Sequence, residues 1–437
     1  MESHADRSAT TLAGSRTLVG LEHAMRITDD AAPFNVVMVL RLDGELPPAT
    51  LRHAVDTLQR RHRLLRARIL NEGKGYAFHF DSTGSIAIDV GARSGPDEWI
   101  GAAQDEFPKR FPLTDGPLMR CRYLSDAQGG DLIVTLHHTI VDASSARHLL
   151  GELLDLCAGL TPDHVEAQAS EGAVPAPALY PTLYKGFGYA RALGAFMRRQ
   201  MADEMTYRWN SRGLRQAPIH ETGRCCLLPV RFPAELTAKL IAASRGQRVT
   251  LNAILGAGML SAVQRRLYPA PLVPLRHIIF ADLRDRLRTP MAPTTLGCLL
   301  TMFRFTVNVP HEGDVWGIAR DIQDATALAA RTGERYLAYS MSPGMMKMIF
   351  TLKAFRMGAT ALSYSGPIEL PESSGSFRVT GVHAFAANMT LGPEYTALVR
   401  LFRGELWWDI MYMDSDMNDA TAREIARDMQ TILEAAC

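Results

Sequence analysis

Apolar and polar positions along this chain follow two periods, one near 2 and one near 3.6, and switch between them repeatedly. Residues 35–42 (NVVMVLRL) form a β-branched apolar run closed by the turn residues Asp43 and Gly44, which predicts a buried strand. Just before it, residues 18–25 make a short helix candidate. Pro47-Pro48 opens a helix over 50–61, with Leu51, Ala54, Val55 and Leu58 spaced for one face. Residues 66–70 and 119–124 read as strands, and 131–138 (DLIVTLHH) gives the clearest strand pattern of the first half. After a loop over 139–143, Ser144 or Ser145 is expected to cap a helix running to about Cys157, with Ala146, Leu149, Leu150, Leu153, Leu154 and Leu156 facing the core.

The pattern breaks at 166–181 (EAQASEGAVPAPALYP), a stretch of small residues and proline without periodicity. We place a linker at 171–185, between a first lobe over 1–170 and a second over 186–437. In the second half, Thr250 starts a long apolar helix over Leu251–Leu267. Strands are predicted at 277–281 and 302–307. A hairpin pairs 398–401 with 406–413 around Arg403-Gly404, and an amphipathic helix covers 420–435. The fold class is α+β, in two lobes of similar character.

Composition narrows the function classes. The 437 residues are 47% hydrophobic and 21% charged, enough apolar content for a large core, which excludes wholesale disorder. Lys+Arg is 47 against 46 Asp+Glu, so the basic excess that nucleic-acid binding needs is missing and no nucleic-acid partner is expected. Only 6 of those cations are lysine, a bias that fits a GC-rich genome better than a function. Six cysteines without a CxxC pattern fit a reduced, cytoplasmic setting. The polar start predicts no signal peptide, and no run of 18 apolar residues predicts a transmembrane segment.

The chemistry concentrates in HHTIVDA, which holds His137, His138 and Asp142. Neighbouring side chains on a strand point to opposite sides, so only one of the two histidines can face a given cleft. A neutral imidazole accepts a proton near neutrality. The carboxylate four residues on can orient it or hold the loop. From these residues alone, a helix-capping aspartate beside two incidental histidines is an equal reading. A zinc site is disfavoured because the histidines diverge and no HxxxH or CxxC accompanies them, so no metal is assigned. A serine hydrolase is disfavoured because no GxSxG occurs.

LHHTIVDASS resembles the HHxxxDG motif of the condensation-domain superfamily of CoA- and carrier-dependent acyltransferases, closest in type to freestanding polyketide-associated acyltransferases. LVGLEHAM, RHRLLRARI, FPLTDGPLMRCRYL, VTLNAILGAGMLSAV and ADLRDRL followed by LGC resemble its other segments in order. The resemblance implies two chloramphenicol-acetyltransferase-like lobes in a V-shaped pseudo-dimer with a tunnel between them. It implies His138 as general base, His137 as a structural residue, and Asp142 paired with an arginine of the second lobe, for which Arg284 is the best match. Ala143 stands where the motif has glycine, which puts in question its amide as an oxyanion donor. Ser363-Tyr364-Ser365-Gly366 is the nearest match to a second-lobe SNxG segment. Ser363 or Ser365 can donate to an oxyanion, although a tight turn explains the glycine equally well. No DFGWG occurs, so the plant BAHD branch is not expected.

The expected function is ester formation, moving an acyl group from a thioester to a small-molecule hydroxyl acceptor in polyketide, lipid or peptide tailoring. Amide formation on an amine acceptor and a non-catalytic recruitment module are the alternatives. No cofactor is expected, because the acyl-CoA or phosphopantetheine-bound acyl group is itself a substrate. GGD at 129–131 is followed by Leu132 rather than serine, so the donor is expected as acyl-CoA or on a separate acyl carrier protein. A monomer is expected. The Met-rich stretch 341–357, with Met345, Met348, Ile349, Leu352 and Phe355 on one face, predicts a core-facing helix or the wall of an acyl tunnel. The basic-apolar stretch 183–201 reads as a solvated helix face. Through Arg191, Arg198 and Arg199 it is also a candidate contact for an acidic carrier protein or a membrane surface. His62 is expected to be packed and hydrogen-bonded, and one of Trp407 and Trp408 to be buried.

Overall fold

The computed structural model describes residues 14–73, 75–81, 83–160, 180–181, 186–214, 223–353, 356–370, 373–374 and 376–437. Two six-stranded sheets organise them. At the centre of the first, Asn35–Gly44 and Gly129–His137 pair antiparallel with Asn35 opposite His137. Met119–Ser125 and then Ala87–Ala92 continue the sheet on one side. The second sheet runs Leu300–Pro310, Leu272–Asp282, Thr360–Pro367, Tyr395–Phe402, Glu405–Met413 and Cys225–Phe232.

The lobes do not part cleanly in sequence. The strand Phe377–Ala386 leaves the second half of the chain and pairs antiparallel with Asn35–Gly44, completing the first sheet. Periodicity marks a strand but not its partner, so this crossover is invisible in the pattern of residues 377–386. Of the expected linker at 171–185, only Tyr180 and Pro181 lie within the described residues. Tyr180 is fully buried, with its hydroxyl 2.8 Å from Ser340 Oγ.

Helices Pro48–Arg61 and Ala143–Cys157 cover one face of the first sheet, packing Leu51, Leu58, Leu149 and Leu153 into a core with Met38 and Leu136. Leu251–Leu267 and Asp419–Ala435 do the same for the second sheet. Two interior glycines of Leu251–Leu267 lower helix propensity by about 1 kcal/mol each relative to alanine. Close packing requires them. A Cβ on Gly256 would stand 2.8 Å from His277 Nε2, and one on Gly258 would stand 2.8 Å from Leu433. The inner faces of the two sheets meet in a dry seam of Val37, Val39, Ile133, Leu227, Phe385 and Met411.

Three local expectations are corrected. The cap of helix Ala143–Cys157 is Asp142, whose carboxylate accepts the Ser145 N–H at 2.9 Å, rather than Ser144 or Ser145. Both Trp407 and Trp408 are buried, because the second sheet is covered on both faces: Trp408 packs under the helices and Trp407 against the first-lobe core. In helix Glu334–Leu352 the buried positions include Tyr336, Tyr339, Ser342, Met346 and Ile349, while Met348 and Leu352 face out. Of the expected stripe, Ile349 is buried and Met345 packs half-buried against the same core, while Phe355 lies outside the described residues.

Candidate active site

The strand Gly129–His137 ends where the first sheet meets the second, and the loop after it turns into helix Ala143–Cys157. The two histidines diverge as strand geometry requires. His137 is fully buried; its Nδ1 accepts the Thr139 N–H at 3.2 Å, and its Nε2 lies 3.4 Å from Asp29 Oδ1. Burial pushes the Asp29 carboxyl up, but the His137 hydrogen bond and the Phe34 N–H outweigh it and hold Asp29 below its usual value. His137 is thereby a packed anchor of the loop base.

His138 turns the other way. Its Nδ1 lies 2.9 Å from the Val141 carbonyl oxygen, which can only accept. Nδ1 therefore carries the proton, and Nε2 of the neutral ring presents a lone pair. The Phe34 ring stacks on the imidazole, with centroids 5.3 Å apart and planes 6° from parallel. Desolvation lowers the His138 pKa below its ordinary value, with the Val141 carbonyl and the Asp142 charge pulling weakly the other way. Cys298 Sγ stands 3.9 Å from Nδ1, and burial pushes that thiol well above its ordinary pKa, so it is neutral there.

Asp142 does not point at the substrate side of His138. Its carboxylate takes both terminal nitrogens of Arg284, Oδ2 to Nη1 at 2.8 Å and Oδ1 to Nη2 at 3.2 Å. It also accepts the Leu299 N–H at 2.8 Å. Arg284 further donates to the Thr295 carbonyl at 2.8 Å and to Asp282 at 3.1 Å.

An apolar cavity of about 170 Å³ lies between the lobes. His138, Phe34, Met38, Ala143 and Ala146 line it from the first lobe, with Met302, Ser363 and Ser365 opposite. On one side it shares Ala387, Asn388 and Met389 with a neighbouring pocket of about 640 Å³. On the other, Arg147 is common to it and a polar pocket of about 450 Å³ that contains Arg61, His62 and His148. Ala143 is the first residue of its helix, where backbone N–H groups have no intrahelical partner, and it is absent from the left-handed region that glycine favours. The alanine therefore fits this backbone without strain. Gly366 has φ +75°, beside a register shift between Tyr364 and Pro367, so the turn accounts for that glycine. Ser365 Oγ donates to the Val399 carbonyl at 3.3 Å.

Five residues at this centre escape sequence reasoning: Asp29, Phe34, Arg147, Ser145 as the partner of its cap, and the buried Arg400. Asp29, Phe34 and Arg400 carry no local pattern, and their roles come from contacts across the sheets. Ser145 closes the quoted motif segment, one turn from Asp142, and Arg147 lies two residues beyond that segment. His62 is packed as expected, 2.7 Å from Glu152. Among the described residues, no group of three or more His, Cys, Asp or Glu could hold a metal ion.

Two family models match in tandem: "Condensation domain" over residues 25–170 and "Phthiocerol/phthiodiolone dimycocerosyl transferase C-terminus" over 225–399. Between them the two models place both halves of the chain among condensation-domain-type acyltransferases. Phthiocerol/phthiodiolone dimycocerosyl transferase from Mycobacterium leprae is 25% identical to this acyltransferase over 296 residues, 65% of this chain and 67% of that protein. The solved trichothecene 15-O-acetyltransferase TRI3 from Fusarium sporotrichioides superposes with a TM-score of 0.77 at 12% identity, covering 98% of this chain and 97% of that one. Polyketide synthase associated protein 5 from Mycobacterium tuberculosis gives 0.65 at 16% identity, over 96% and 98%. The acyltransferase has their two-lobed, chloramphenicol-acetyltransferase-like fold. It spans only 3–5% of the large peptide synthetases it also matches.

Proposed function

We propose that this acyltransferase forms esters, moving an acyl group from a thioester to a hydroxyl acceptor that meets it in the interlobe cavity. The single observation that carries the reading is the tautomer and placement of His138. With Nδ1 donating to Val141, the Nε2 lone pair is the base available on a ring that lines the cavity. Burial disfavours the imidazolium in the resting state, so the base is free at neutral pH.

The acceptor O–H gives its proton to Nε2 as its oxygen bonds to the thioester carbonyl carbon. The tetrahedral oxyanion takes a hydrogen bond from the first turn of helix Ala143–Cys157 or from Ser363. Collapse breaks the C–S bond, and the imidazolium gives its proton to the leaving thiolate, which restores the neutral base. Acyl thioester and alcohol become ester and thiol, with no net proton change. The donor is acyl-CoA or an acyl group on a separate carrier protein, and an apolar lining suits its chain. The relatives' names carry O-acetyl and mycocerosyl transfer, which favours oxygen over nitrogen as the nucleophile.

The test is incubation of the purified protein with acyl-CoA or acyl-carrier donors and acceptors bearing either one hydroxyl or one amine, read by mass spectrometry. Ester product with wild type and none with His138→Ala supports the reading. Amide product alone overturns the choice of nucleophile, and equal product from both proteins removes His138. Extracts of a strain lacking the gene should contain a product short of one acyl group.

A further inference from the structure

Helix Gly186–Asn210 buries only Phe196 and leaves large apolar side chains facing out. These are Phe187, Met197, Met201, Met205 and Trp209, five of the eleven exposed large hydrophobics among the described residues. The last four recur every fourth residue and make one outward stripe. Some of its polar groups turn inward. Arg199 pairs with Glu334, Glu204 pairs with Arg276, and the Arg276 guanidinium stacks 3.7 Å over the Tyr207 ring. A monomeric soluble protein rarely exposes a contiguous apolar stripe without a use for it.

The charges on the outward side are of one sign. Arg191, Arg198, Arg208 and Arg212 are exposed among the apolar residues, while the helix's two carboxylates, Asp203 and Glu204, are half-buried. Arg212 also lies 4.3 Å over the Trp209 ring. Arginine interleaved with Met, Phe and Trp on one helix face is the composition of a helix that lies in a bilayer interface, its guanidiniums on anionic headgroups. Beneath the helix, a small cavity touching Phe196 and Gln200 shares Ile278, Met302 and Met357 with the interlobe cavity. The two cavities therefore share a wall, and the small one, which also touches Arg304 and Glu334, lies between that wall and this helix.

We infer that helix Gly186–Asn210 seats the protein on an anionic lipid surface, which sets the small cavity beneath it on the side of a membrane-borne acyl substrate; that last step rests on the transfer chemistry proposed above. Arg191 and Arg198 are headgroup contacts, whereas Arg199 is committed to Glu334. No helix among the described residues is long and apolar enough to cross a membrane, so the contact is interfacial.

The experiment is co-sedimentation of the full chain with phosphatidylcholine vesicles made with and without phosphatidylglycerol. Binding should require the anionic lipid and weaken with salt. Met201→Glu combined with Met205→Glu should lower vesicle affinity by tenfold or more, and Arg191→Glu with Arg198→Glu by about fivefold per site. Thermal unfolding like wild type would show that both variants fold, and both should keep wild-type turnover of water-soluble substrates. Absence of sedimentation with anionic vesicles overturns the inference, as does equal sedimentation of the variants. So does finding that the stripe instead closes a dimer, or that it takes an acidic carrier protein and no vesicle. Vesicle binding is read without substrate, so it stands or falls separately from the chemistry. Loss of turnover on soluble substrates by the wild type would count against the proposed reaction alone.

Discussion

The Asp142 carboxylate and the Arg284 guanidinium form a bidentate, buried ion pair that ties the loop after the first-lobe strand to the second lobe. The same carboxylate caps helix Ala143–Cys157 and receives the Leu299 N–H. Removing it leaves the buried guanidinium with only the more exposed Asp282 carboxylate, and breaking a buried pair of this kind costs about 3–5 kcal/mol. Asp142→Ala is expected to lose that much in urea unfolding. Asp142→Asn, which keeps an oxygen for the cap, should lose less. A wild-type midpoint for Asp142→Ala would mean that the clamp contributes nothing.

His138 should behave differently. Its ring makes one hydrogen bond through Nδ1 and stacks on Phe34, so His138→Ala is expected to fold, with turnover lower by about 10²–10⁴-fold. A base must be deprotonated to act, and burial sets its pKa below the ordinary histidine value. Activity should therefore rise with pH through a midpoint on the acid side of about 6.5. A plateau reached only above pH 7.5 would place the working base elsewhere.

How much of this was legible in the sequence depends on the range of each contact. The strand at Asn35, the helix Leu251–Leu267 and the hairpin at Arg403-Gly404 were readable because each is set by neighbours a few residues apart. Arg403 and Gly404 both take positive φ, as a two-residue hairpin turn demands. The opposition of His137 and His138 followed from strand alternation alone. The pairing of Asp142 with Arg284 did not: it came from a resemblance, and the structure brings the two together. Phe377–Ala386 in the first sheet and Asp29 beside His137 had no local signal, since each depends on which distant surface a residue meets, whereas the basic-apolar blend of 183–201 did mark part of the exposed helix Gly186–Asn210.

A second junction between the lobes predicts acid sensitivity. Asp409 is fully buried and holds the crossover strand through His383 Nδ1 and the Ala384 N–H, each at 2.7 Å, and it also pairs with Arg400. Desolvation alone would push its carboxyl up, but Arg400 and His383 outweigh it and hold the pKa below its usual value. Its contribution is present above the usual carboxylate range and disappears as pH falls through the folded value. His277 acts in the same direction from higher pH. Burial pushes it down to about 3, so below about 6.5 the unfolded chain takes up a proton that the folded one refuses. Stability should decline steadily as pH drops from 6.5. His277→Asn should flatten that slope by up to about 1.4 kcal/mol per pH unit, measured by urea titration at several pH values. An unchanged slope would show that His277 is protonated in the folded protein.

The two serines facing the cavity can be separated by what their hydroxyls already do. Ser363 and Ser365 lie two apart on strand Thr360–Pro367, so they share a face, and both line the cavity opposite His138. A hydroxyl has one proton to donate. Ser365 spends it on the Val399 carbonyl at 3.3 Å, a bond that secures the bulge before Gly366. Ser363 is then the better placed donor to an oxyanion that forms only in the transition state, and the loss of one such donor typically costs about 10²–10³ in kcat. Ser363→Ala should lower kcat by that order with KM little changed, while Ser365→Ala stays within a few fold. Small losses in both variants would leave the oxyanion to the helix amides at Ala143, whose contribution no side-chain substitution removes.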